Sequence, residues 1–143
     1  MKRLALAGRG NSRMQLFTEE LQDGITRVVL DGNMDIECAN AIDLKMKIIA
    51  GTRTAVLVDM QRVSYLAPIG VGVLVTVAKA IKIRGGKFVF FAPSPFVDQV
   101  LRKTGIYQVI PVHYELEPAI AALKQQISRD LLGPVRINSS ASR

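Results

Sequence analysis

Tryptophan is absent from the 143 residues, and histidine and cysteine occur once each, at His113 and Cys38. A lone cysteine excludes an internal disulfide, and one cysteine with one histidine cannot supply a cysteine zinc cluster. Long hydrophobic runs are also missing. The longest, 65–78, is broken by Pro68, Gly70, Gly72 and Thr76 and followed by Lys79, well short of the roughly 20 residues a bilayer demands. The amino terminus opens with Lys2 and Arg3, but its apolar part spans only 4–7, against roughly 7–15 residues for a signal-peptide core. A cytoplasmic protein without a membrane span is the expectation, and the free Cys38 agrees with a reducing compartment.

What is present is core-forming surface. Apolar residues make up 49% and charged residues 22%, which excludes disorder of the whole chain, and the length suits one domain. The net charge of +7 suggests a nucleic-acid partner until it is located. Residues 1–13 carry Lys2, Arg3, Arg9 and Arg13 without an acid, and 128–143 carry Arg129, Arg136 and Arg143 against Asp130. That leaves +1 for 14–127. The chain therefore divides into a basic segment at 1–13, a folded domain at 14–127 and a polar tail at 128–143. Direct nucleic-acid binding is not expected, since basic ends are ordinarily solvated.

Residues 14–20 and 25–31 read as two strands joined at Gln22-Asp23-Gly24, where glycine supplies the positive φ of a tight turn. In 36–50, Ile42, Met46 and Ile49 share one helical face, and Gly51 ends the run. The continuous apolar stretch 55–58 predicts a strand covered on both sides, with Asp59 at its carboxyl end. Residues 68–84 are β-branched enough for a strand. Pro68 at the front, Gly85-Gly86 behind, and Lys79, Lys82 and Arg84 in the last turns favour a helix. A strand at 87–91 and a helix opened by Ser94-Pro95 and stopped at Gly105 come next. A short strand at 108–112 precedes an amphipathic helix marked by Leu116, Ile120, Leu123 and Ile127. The order ββαβαβαβα means an α/β domain with a mixed, mostly parallel sheet and helices packed against it.

Chemistry is hard to find. No phosphate loop GxxxxGK[ST] and no GxSxG occur, and Gly8-Arg9-Gly10 lacks the third glycine and preceding strand of a dinucleotide fingerprint. His113 has no evident nucleophile or orienting carboxylate beside it. Asp31, Asp35 and Asp59 could meet where strands end and hold Mg²⁺, but capping and turn roles suit them better. No catalytic residue, metal site or cofactor is assigned.

The most specific stretch, 56–74, runs Val-Leu-Val-Asp59 to Ser64-Tyr65-Leu66-Ala67-Pro68-Ile69-Gly70-Val71-Gly72-Val73-Leu74. It resembles the central signature of STAS domains, the fold of bacterial anti-sigma factor antagonists, in which a strand ending in Asp leads through a short loop to D-S-S-G-x-G-x-L at a helix start, which implies a loop after Asp59 that holds Ser64. Leu30-Asp31-Gly32-Asn33-Met34-Asp35, Gly85-Gly86-Lys87, Ser94-Pro95-Phe96-Val97 and Thr104-Gly105-Ile106 are similar to further segments of that family. The resemblance implies a STAS-like fold and a non-enzymatic, protein-binding role in regulating transcription by partner switching. The implied partner is an anti-sigma factor or a related kinase-fold protein, and a homodimer is compatible. A structural subunit of a lipid-transport ABC assembly or of a stress-signalling complex is the alternative. The departure from the family lies at its phosphoacceptor serine, which falls on Pro68, flanked by Ala67 and Ile69 where the family has an acid and a second serine. No phosphorylation is expected there. The implied partner-binding set is Asp35, Ser64, Ala67, Pro68, Ile69, Gly70 and Gly72.

Overall fold

The computed structural model describes residues 3–5 and 14–132, with side chains for 14–124. Six strands form one sheet in chain order: β1 (Arg3–Ala5), β2 (Gln15–Glu20), β3 (Ile25–Met34), β4 (Ala55–Leu66), β5 (Lys87–Phe91) and β6 (Val112–His113). The β1–β2 and β2–β3 pairs are antiparallel, and β3 to β6 run parallel. Four helices connect or follow them: α1 (Ile36–Thr52), α2 (Pro68–Ile83), α3 (Pro95–Thr104) and α4 (Leu116–Leu132). From Met14 onward the element order is the expected one, and β1 adds a strand at the front inside the basic segment. The expected tail begins within α4, and 133–143 lie outside the described residues.

The β2–β3 turn places Asp23 at φ 61° and Gly24 at φ 74°, the left-handed pair that a tight hairpin needs. Parallel strands require crossovers, and α1, α2 and α3 provide them on one face of the sheet. There Leu30, Met34, Val58 and Phe90 meet Ile42, Met46, Leu74, Val77 and Leu101 in the main core. The other face is covered by α4, whose Ala119 and Leu123 pack on Ile25, Leu57, Val89 and Phe91. Ala55, Val56, Leu57 and Val58 are accordingly all buried, as the unbroken apolar run predicts. The β-branched segment behind Pro68 is helical because Val71, Val73, Leu74, Val77, Ala78 and Ile81 bury one helical face. Tertiary packing overrides local propensity there.

Two expectations are corrected. The strand expected at 108–112 is a 3-10 turn at Ile106–Gln108 followed by a two-residue strand at Val112–His113. Ile106 and Ile110 are both buried in the core, and Pro111 has no N–H to give a ladder. The loop expected after Asp59 is strand. The β4 strand continues to Leu66, and its register against β3 slips twice: Val29 faces Asp59 while Asp31 faces Arg62, and Gly32 faces Val63 while Asn33 faces Tyr65. Each slip inserts one extra residue in β4, a bulge that turns two consecutive side chains outward. Gln61-Arg62 and Ser64-Tyr65 are those exposed pairs.

Candidate docking surface

The carboxyl ends of β3, β4 and β5 deliver the first turns of α1, α2 and α3 to one edge of the sheet. Backbone and side-chain bonds hold the three starts together. The Ala67 N–H donates to the Met34 carbonyl at 2.9 Å. The Ser94 hydroxyl, instead of capping its own helix, donates to the Val63 carbonyl at 3.2 Å. Asp35 caps α1 by accepting from the Cys38 N–H at 2.9 Å.

The start of α2 is unlike that of α1. Its N-cap is Ala67, which has no side-chain oxygen, and its first turn carries no acid. Pro68 at the first position has no N–H to leave unsatisfied, and Ala67 O accepts from Gly70 and Val71 at 2.8 and 3.2 Å. Gly70 is there because the turn lies close on the strand ends. A Cβ at that position would stand 3.0 Å from both Leu66 Cδ1 and Met34 Cγ.

The residues assigned from sequence therefore separate. Asp35, Ser64, Pro68, Ile69 and Gly72 are exposed along this edge. Ala67 and Gly70 are buried and seat the turn from beneath. Ser64, expected in a loop, stands on the second bulge of β4, where its hydroxyl donates to Asn33 Oδ1 with the Gly32 carbonyl at 3.4 Å. Sequence reasoning missed three large apolar neighbours. Ile36 at the first position of α1, Tyr65 on the bulge and Phe96 in the first turn of α3 are 62%, 43% and 54% exposed, beside Ile69 at 40%. The signal was present for two of them, since Ile36 and Phe96 lie off the buried stripes of their helices, 38–39–42–46 and 97–101. Together they make an apolar rim at three helix starts, with Asp35 and Glu37 flanking Ile36 in sequence.

The three aspartates weighed as a cation site go to separate tasks. Asp35 caps α1, and Asp31 lies 3.6 Å from Arg62. Asp59 is buried mid-strand, where it accepts from Arg27 Nε at 3.1 Å and the Gln61 N–H at 3.0 Å and pairs with Arg27 Nη2 at 2.5 Å. His113 bonds through its backbone carbonyl to Ala92 N. Nearby, Asp98 accepts from both Tyr107 and Tyr114 hydroxyls at 2.7 Å and from Arg102 Nε at 3.0 Å. Burial works to raise the Asp98 pKa, but these donors outweigh it and hold the carboxyl below its ordinary value. Burial and the same carboxylate push Tyr107 and Tyr114 up. This network ties α3 to the bend before β6.

A mixed sheet is thus sandwiched between three crossover helices and one terminal helix, with an exposed turn at the second crossover. The STAS domain profile matches residues 18–119, and the chain belongs to that family. A Bordetella bronchiseptica protein named BtrV and described as an anti-sigma factor antagonist is 32% identical over 120 residues, covering 81% of this chain and all of that one. Among solved structures, an anti-sigma factor antagonist from Mycobacterium paratuberculosis superposes with a TM-score of 0.70 at 22% identity, over 80% of this chain and 97% of that chain. A sulfate transporter family protein from Wolinella succinogenes shares the fold at TM-score 0.65 and 17% identity, over 77% of this chain and 93% of that one. No helix among the described residues is long and apolar enough to cross a membrane.

Proposed function

We propose that this chain is a non-catalytic anti-sigma factor antagonist that works by partner switching and docks an anti-sigma factor of kinase fold through the start of α2. The observation that carries this reading is the exposed apolar pair Pro68-Ile69, set on the second helix start of a chain whose relative over its full length is described as an anti-sigma factor antagonist. Phosphorylation of a helix start brings a charge of about −2 and repels or re-pairs a partner. Pro68 offers no hydroxyl, so this turn binds without that switch. The nearby Ser64 hydroxyl is engaged with Asn33 and lies one bulge away.

Affinity purification from the native host, followed by calorimetry with the purified kinase-fold partner, tests the reading. The expected result is a direct complex that Ile69→Asp weakens, and no phosphate on 64–70 after incubation with the partner and ATP. Phosphate on Ser64, or no complex with any kinase-fold protein, overturns it. A second reading, an accessory subunit of a transport or stress assembly, has the fold likeness to the Wolinella transporter-family protein in its favour. Recovery of an ABC ATPase in place of an anti-sigma factor selects it.

A further inference from the structure

The far end of α2 carries a second feature that the docking turn does not explain. Between the last turns of α2, the start of β5 and the bend before β6 lies a pocket of about 240 Å³. Its floor is apolar, made by Phe88, Ile110 and Pro111, with the first two buried. Its mouth is cationic, lined by Lys79, Lys82 and Lys87. No carboxylate lines it, and among the described residues none of these three lysines takes part in an ion pair.

The ordinary reason for cations here covers only part of the set. Lys82 lies in the last turn of α2, where the helix dipole favours positive charge. Lys87 begins a strand and is half-buried, so the dipole does not account for it. Arg84, the remaining cation of the segment, is already used: it donates to the Ala50 and Arg53 carbonyls at 2.5 and 2.9 Å, closing the end of α1. Elsewhere on the surface, Lys47, Arg53, Arg102 and Lys124 stand against acids, and Lys45 and Lys103, which have no ion pair among the described residues, do not line this pocket. Three unmatched ammonium groups around a low-dielectric floor focus positive potential into the cavity.

We infer that this pocket binds a small organic phosphate monoester, its phosphate held by Lys79, Lys82 and Lys87 and its apolar body laid on Phe88, Ile110 and Pro111. A doubly charged group with several acceptor oxygens suits three point-charge donors lining one pocket better than a single carboxylate does. The volume of about 240 Å³ equals about eight waters at 30 Å³ each, room for a ligand the size of phenyl phosphate. The site is independent of the docking surface and stands or falls without it.

Amide-resolved NMR titration of the whole chain with phenyl phosphate tests the inference, with inorganic phosphate and phenol as parallel probes. Saturable shifts confined to the amides of 78–88 and of 109, 110 and 112, with a Kd of about 1 mM or tighter, are expected. Inorganic phosphate and phenol, each offering half of the recognition, should bind at least about tenfold more weakly. Lys82→Ala and Lys87→Ala should each weaken phenyl phosphate by about tenfold, while Lys47→Ala, on α1, leaves it unchanged. Circular dichroism confirms that each variant is folded, and the exposed Lys82 tolerates the change. Unsaturated or scattered shifts, equal binding of inorganic phosphate, or full affinity in both pocket variants would each overturn the assignment.

Discussion

Ile69→Asp separates docking from folding. Ile69 is 40% exposed in the free protein. Burying a whole isoleucine is worth about 1.5–3 kcal/mol, so losing its covered part costs about 1–2 kcal/mol. The first turn of α2 contains no acid, and a carboxylate there recovers about 0.3–1 kcal/mol from the helix dipole. The net loss is about 1 kcal/mol, a fall in Tm of roughly 2–5 °C for a chain of this size. In the complex the same carboxylate sits in an apolar contact. Stripping its water without a counter-charge costs several kcal/mol, and 1.4 kcal/mol already means tenfold in Kd. Circular dichroism melting and calorimetric titration of one protein preparation read both numbers. Ile48→Asp is the control, since Ile48 is exposed on α1 near the opposite end from the rim. It should leave affinity unchanged. A Tm loss beyond about 10 °C would mean that Ile69 is a core residue, and a folded Ile69→Asp with undiminished affinity would remove the turn from the interface.

Three other outcomes follow from the packing. Gly86→Ala should lower stability by about 1–3 kcal/mol, read by thermal melting, because its Cβ would press on the Thr54 carbonyl oxygen and stand 2.8 Å from Ile81 Cγ2. Arg27→Leu should cost about 3–5 kcal/mol in a denaturant titration by leaving Asp59 buried without its cation, and Arg27→Leu combined with Asp59→Leu should restore much of it. The Asp98 network should show in pH-dependent melting. Its depressed carboxyl pKa contributes stability that is present above the ordinary value of 3.8 and lost as pH falls through the lower folded value. The raised Tyr107 and Tyr114 contribute stability that is present below 10.0 and lost as pH climbs through their folded values. Asp98→Asn should flatten the acid limb, and an unchanged limb would show the network to be idle.

Most elements were legible because their signals are local. Pro68 and Gly85-Gly86 bracketed α2 correctly against its β-branched composition, and the apolar run at 55–58 announced a strand covered by helices on both faces. The continuation of β4 was not legible. Periodicity arguments need strict alternation, and two bulges break it by sending Gln61-Arg62 and then Ser64-Tyr65 outward in pairs. A bulge is specified by the partner strand, which a one-dimensional pattern does not contain. The bend at Ile106–Gln108 failed for a similar reason, since Ile106 and Ile110 are apolar for the sake of a core reached from a turn. At the docking edge, the turn itself was visible in Ala67-Pro68-Ile69-Gly70. Its extension to Ile36 and Phe96 required knowing that β3, β4 and β5 are neighbours.

Both margins of the sheet are abrupt. The described margin strands are Arg3–Ala5 on one side and Val112–His113 on the other. An exposed strand is a template on which any extended chain can polymerise through its free N–H and C=O groups, and brevity is one of the ways proteins deny that template. With three residues at one margin and two at the other, each margin strand itself offers only a short ladder to another copy. Side-chain surfaces are then the more extensive ground for contact. That favours recognition through surfaces whose identity the sequence can alter one residue at a time.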